Sequence, residues 1–120
     1  CLDVHGDEAL PYNFIAGAEG IPNYTEKQAN NQAAFLAAYE TASPDFQTEK
    51  GYAVSAPGTG NLSMCTNYTA HTYDCLAMTL EMPFKDNANL PDELFGWSPE
   101  RCARLGGAVL DAMLAVIDDL

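Results

Sequence analysis

Residues 75–82 read CLAMTLEM, an apolar run bounded by Asp74 and Pro83. Its length and its flanks fit a strand buried at the centre of a sheet. Side chains alternate along a strand, so Leu76, Met78 and Leu80 share one face while Ala77, Thr79 and Glu81 share the other. A carboxylate therefore ends a strand that is otherwise apolar.

The start of the chain carries the same period. Leu2 and Val4 alternate with Asp3 and His5, which predicts a strand end with Asp3 and His5 on one face. Gly6 and Leu10-Pro11 then turn the chain into a loop that Gly17, Gly20 and Pro22 continue. Thr25 with Gln28 three residues on is a capping box, and it opens a helix that runs to Ala42 and stops at Ser43-Pro44. Residues 47–54 suit a short strand, and SAPGTGN at 55–61 is loop chemistry. Asn61 is placed to cap a helix with Leu62, Cys65, Thr69 and Thr72 on one side. Ser98-Pro99 starts the last helix, where Cys102, Leu105, Val109, Met113 and Val116 or Ile117 recur at helical spacing.

Strand, helix, strand, helix, strand, helix predicts an α/β layered sheet. The 120 residues suit one domain, and the 48% hydrophobic share without low-complexity runs suits a folded one. A net charge of -12 with five Lys and Arg argues against nucleic acid or an anionic membrane surface as partner. No apolar run approaches the roughly 18 residues of a membrane span. Cys1 opens the chain inside an apolar segment, as a fragment would begin. Four cysteines without C-x-x-C spacing read as buried free thiols and point to the cytoplasm.

Chemistry in layered sheets collects at the carboxyl ends of strands, where His5 and Glu81 both lie. A neutral imidazole is a good Zn(II) ligand, and a carboxylate beside it can act as general base to an attacking water. Asp3 is placed to accept the other ring N–H of His5 and fix its tautomer. Met82, Pro83 and Phe84 are placed to desolvate Glu81 and raise its pKa. The bland alternative is a hydrogen-bonded His5 and a Glu81 paired with an arginine. A catalytic zinc also needs about three protein ligands. Glu8 stands at H-x-x-E spacing from His5, but Leu10-Pro11 prevents the helix that presents such a pair. His71 reads as a helix-surface histidine. The sequons at Asn23, Asn61 and Asn67 are read as chance.

The segments DVHGDEALPYNF (3–14) and MTLEMPFKDN (78–87) resemble the carboxyl-terminal part of a zinc metallocarboxypeptidase of the M14 family, and most its cytosolic-carboxypeptidase-like bacterial branch. The resemblance implies a mixed-sheet α/β fold with helices on both faces. Residues 1–120 would be the carboxyl-terminal portion of one catalytic domain. It implies that His5 is the third zinc ligand and Glu81 the general base and acid, with Thr79 lining the specificity pocket. Tyr52, or Tyr68 in its place, falls near the family's mobile tyrosine over the substrate's terminal carboxylate. The family's remaining zinc ligands and carboxylate-gripping residues lie upstream of the His5 position, so Zn(II) would be completed from outside this chain and the chain alone would be inactive. The implied partner is a peptide or protein carboxyl terminus. Competing readings are a zinc amidase or deacylase of the same fold and a non-catalytic α/β interaction module.

Overall fold

A computed structural model describes residues 1–120. The elements are β1 (Leu2–Asp7), β2 (Phe14–Ala16), α1 (Glu26–Ala42), α2 (Cys65–Tyr73), β3 (Met78–Pro83) and α3 (Pro99–Leu114). β3 is the middle of a three-stranded sheet of order β1-β3-β2, parallel to β1 and antiparallel to β2. The sheet is therefore mixed, and helices cover both of its faces.

The alternation in β3 decides what each face buries. Leu76, Met78 and Leu80 join Phe35 and Tyr39 of α1 and Leu105, Val109 and Val116 in one core. Ala77 belongs to a smaller cluster on the other face with Ala70 of α2, Ala18 and Ile21. Covering both faces is what a near-continuous apolar strand requires.

Local signals place the helix starts. The Thr25 side chain accepts from Gln28 N, and the Gln28 side chain reciprocates on Thr25 N, completing the capping box. The Ser98 hydroxyl accepts from Arg101 N, and Pro99 fills the first turn of α3. The buried face of α3 is Arg101, Leu105, Ala108, Val109 and Ala112, rotated from the expected one. Met113 and Ile117 are exposed and Cys102 is half-buried. The rotation follows Arg101, whose guanidinium is buried against Asp45 and lies 3.2 Å from Asp86 Oδ1. It also donates to the Leu90 carbonyl at 2.7 Å and sits over the Trp97 ring. Ion pairing thus draws a charged residue to the core side.

Five other expectations are corrected. β1 does not end at His5 but runs on to Asp7, because Gly6 leaves room for the Phe84 ring. β2 falls inside what reads as loop. Residues 47–54 form no strand: Gln47 Nε2 donates to the carbonyls of Asn13 and Lys50, so a side chain stands in for a strand partner. Asn61 bonds Ser63 N in a turn before the helix, α2 starts at Cys65, and its buried residues are Thr66 and Ala70. The four cysteines are free, as expected, but Cys1 and Cys65 are exposed.

Candidate metal and proton-transfer site

Parallel pairing of β1 with β3 sets Asp3 opposite Thr79 and His5 opposite Glu81. β2 closes the other side, with Phe14 opposite Glu81. Because residues two apart share a face, Asp3, His5, Asp7, Thr79 and Glu81 gather on one face of the sheet. Asp3 Oδ2 lies 3.1 Å from His5 Nε2, and Glu81 Oε1 lies 3.9 Å from His5 Nδ1. The His5 side chain is 54% exposed and that of Glu81 only 8%.

Burial pushes the Glu81 carboxyl pKa up. His5 opposes that rise, while the charges of Asp7, Asp3 and Glu8 add to it. Of the three apolar neighbours expected to desolvate it, Met82 packs against the main core and Phe84 lies exposed over Gly6. Phe14, buried and directly across the ladder, takes that part.

Tyr52 joins the cluster from the loop after α1. Its ring meets Phe14 edge-on at a centroid distance of 4.9 Å. Its pKa is pushed up to about 12, by burial first, then by the adjoining Asp7 carboxyl and by the charges of Glu81 and Glu8. Asp7 Oδ1 accepts from Ala9 N, whereas Oδ2 is buried with no hydrogen-bond partner. Oδ2 is thus an open acceptor beside the Tyr52 phenol rather than one already engaged by it. Tyr68 is exposed on α2. His71 is an exposed helix residue, 3.1 Å through Nδ1 from the Pro22 carbonyl, and Glu8 is exposed beyond β1.

Thr79 is buried and its hydroxyl lies 2.6 Å from that of Thr66 on α2. Both line a cavity of about 210 Å³ with Ile15, Glu19, Tyr52 and Asn67. Tyr52 thus faces both the cavity and the Glu81 cluster.

Three of these residues were not singled out from the sequence. Asp7 carries the period-two signal that extends β1 past Gly6, and Thr66 precedes Ala70 by one helical turn. Glu19, in an irregular loop, carries no local signal.

The donor set fits one position of a metal site. With Nε2 of His5 directed at Asp3, Nδ1 is left free to bind on the Glu81 side, the usual arrangement of a carboxylate-oriented histidine ligand. No three His, Cys, Asp or Glu side chains of this chain converge to hold a metal ion.

A crystal structure of a metallo-carboxypeptidase from Burkholderia cenocepacia matches 99% of this chain with a TM-score of 0.92 and 54% identity. This is part of a metallo-carboxypeptidase fold. A metallo-carboxypeptidase from Pseudomonas aeruginosa, solved with (2-guanidinoethylmercapto)succinic acid, matches 98% of the chain with a TM-score of 0.94 and 43% identity. A provisionally named carboxypeptidase A of Shewanella denitrificans OS-217 matches 98% with a TM-score of 0.95 and 60% identity. An uncharacterized protein of Zymomonas mobilis is 44% identical over 119 residues, 99% of this chain. The chain spans 31% of the length of each of these four relatives. No family model matches it. No helix is long and apolar enough to cross a membrane.

Proposed function

We propose that residues 1–120 are the carboxyl-terminal portion of the catalytic domain of an M14-type zinc carboxypeptidase that removes carboxyl-terminal residues from peptides or proteins. The observation that carries this reading is the His5–Glu81 pair. An exposed imidazole, turned by Asp3, stands 3.9 Å from a nearly buried carboxylate across a parallel ladder. A salt-bridged structural glutamate would face an arginine instead, and Glu81 faces none.

In this reading His5 holds zinc through Nδ1, and ligands from outside the segment complete the site. Zinc, when bound, supplies a Lewis acid for the scissile carbonyl and for water. Glu81 takes the proton of the attacking water on a carboxylate oxygen and passes it to the leaving amine. Its raised pKa brings the acid and base halves of that task closer in energy. Asp3 holds the Nε2–H tautomer of His5. Tyr52, with its phenol at about 12, stays a neutral donor at pH 7 and serves the terminal carboxylate of the substrate. Carried over from the Pseudomonas aeruginosa structure, its carboxylate-bearing inhibitor suits such a donor. The free cysteines favour the cytoplasm as the place of action.

The test is Glu81→Gln in the full-length protein. Turnover of a peptide substrate should fall at least about a hundredfold while bound zinc stays stoichiometric, since a lost general base costs roughly 10²–10⁴. Near-normal turnover in that variant would sink the assignment.

A further inference from the structure

We infer that Asp7 is a positioning residue for Tyr52: in the free protein its Oδ2 accepts the hydrogen bond of the Tyr52 phenol, and the substrate's terminal carboxylate has to win that bond from it. The inference rests on the carboxypeptidase reading, in which Tyr52 serves that carboxylate.

The acceptor lacks any other partner. Asp7 closes β1 and is 6% exposed. Its Oδ1 accepts from Ala9 N at 2.8 Å, which leaves the buried Oδ2 unpaired. Pro83, its partner across the ladder, has no N–H to offer. Lys85 shares a surface cleft with Asp7 but forms no ion pair with it. An unpaired carboxylate oxygen out of water is costly, so the donor at hand is held tightly. That donor is the Tyr52 phenol, whose proton the adjoining Asp7 carboxyl does most, after burial, to keep in place.

The donor is hung so that it can leave. Gln47 Nε2 donates to the Asn13 and Lys50 carbonyls at 3.1 and 2.8 Å, which ties the chain before Gly51 to the residue beside Phe14. A Cβ on Gly51 would come within 2.9 Å of the Phe14 ring, so the backbone lies flush on it. Tyr52 is the first residue past that anchor, and residues 52–56 are exposed and outside any helix or strand. Its ring rests on Phe14 edge-on and is half-exposed. Packing alone does not hold such a ring, so the polar contact decides where it stands.

One proton serves two acceptors. A phenol donates a single hydrogen bond, and an ionised carboxylate only accepts. Asp7 and the substrate's carboxylate therefore exclude each other at Tyr52, and apparent affinity falls by the fraction of molecules in which the phenol is free. Asp7→Asn reverses the polarity of the contact. The amide oxygen goes on accepting from Ala9 N, while Nδ2 stands where Oδ2 stood and donates to the Tyr52 oxygen. The phenol proton is then released to the substrate.

The experiment uses the full-length protein and two readouts. Nitration by tetranitromethane, mapped by peptide mass without substrate present, reads the contact itself, because a phenol held by a carboxylate ionises and reacts less. Asp7→Asn should speed nitration of Tyr52 several-fold and leave Tyr68, of matching exposure, unchanged. Peptide hydrolysis reads the consequence. Asp7→Asn should lower KM by about tenfold, the worth of one charge-assisted hydrogen bond, and change kcat less than about twofold. In a Tyr52→Phe background the KM effect should vanish, which a merely structural Asp7 would not produce. If melting shows that Asp7→Asn does not fold, Asp7→Ser, still able to accept from Ala9 N but too short for Tyr52, should give the same two changes. Unchanged nitration of Tyr52, an unchanged or raised KM, or a KM effect that survives Tyr52→Phe overturns the inference. Release of no terminal residue by the unsubstituted protein overturns the carboxypeptidase reading instead, and nitration still decides the contact.

Discussion

Asp3 Oδ2 stands 3.1 Å from His5 Nε2, two residues along the same strand and on the same face. The contact determines which imidazole nitrogen is free, and the free one faces Glu81. Asp3→Asn keeps the size of the side chain but weakens its hold on the Nε2–H tautomer. In the full-length protein this should lower zinc affinity by about 10–100-fold with little change in thermal stability. Competition against a fluorescent chelator reads the first quantity and a melting curve the second.

Glu81 gives stability a pH dependence of definite sign. Its folded pKa lies above the ordinary 4.5, so in the window from pH 4.5 to that raised value the folded chain binds more protons than the unfolded one. Its contribution is fully present below pH 4.5 and is lost as pH rises through the folded value. Glu81→Gln removes the titrating group, so it should raise Tm at pH 7 and flatten the decline between pH 4.5 and 7. Melting curves at half-unit pH steps check this, and a lower Tm for the variant at pH 7 would contradict it.

Arg101 joins α3 to two distant loops through Asp45 and Asp86. Arg101→Ala leaves the buried Asp45 carboxylate without its cation, a loss of about 3–5 kcal/mol. Urea unfolding followed by the fluorescence of Trp97, against which the guanidinium packs, measures it directly.

The Thr66 and Thr79 hydroxyls are each other's partners in a buried setting. Thr79→Val leaves the Thr66 hydroxyl alone and should cost about 1–3 kcal/mol, whereas replacing both with Val should come close to neutral. A double-mutant cycle in urea gives the coupling energy, and additive single effects would mean that the two hydroxyls do not interact.

The fold was legible where the governing contacts are local. The capping box at Thr25, the Ser98-Pro99 start and the alternation of β3 each depend on residues within four positions of one another. So does the sharing of one face by Thr79 and Glu81. β2 escaped because three residues between Pro11 and Gly17 are too few for a period to appear. The face of α3 was misread because the pattern took Arg101 for a solvent residue, and only its distant acids make its burial affordable.

The amino-acid sequence by itself thus determined the order of most elements, the two faces of β3 and the candidate roles of His5, Asp3 and Glu81. Tertiary structure decided the register that sets His5 across from Glu81, the insertion of Phe14 and Tyr52 beside them, and the entry of Glu19 into the cavity. The physical reason is range. Caps and alternation are governed by bonds a few residues long, whereas pairing β1 with β3 joins segments more than half the chain apart. No local pattern encodes that register, and it follows from which faces must be buried together.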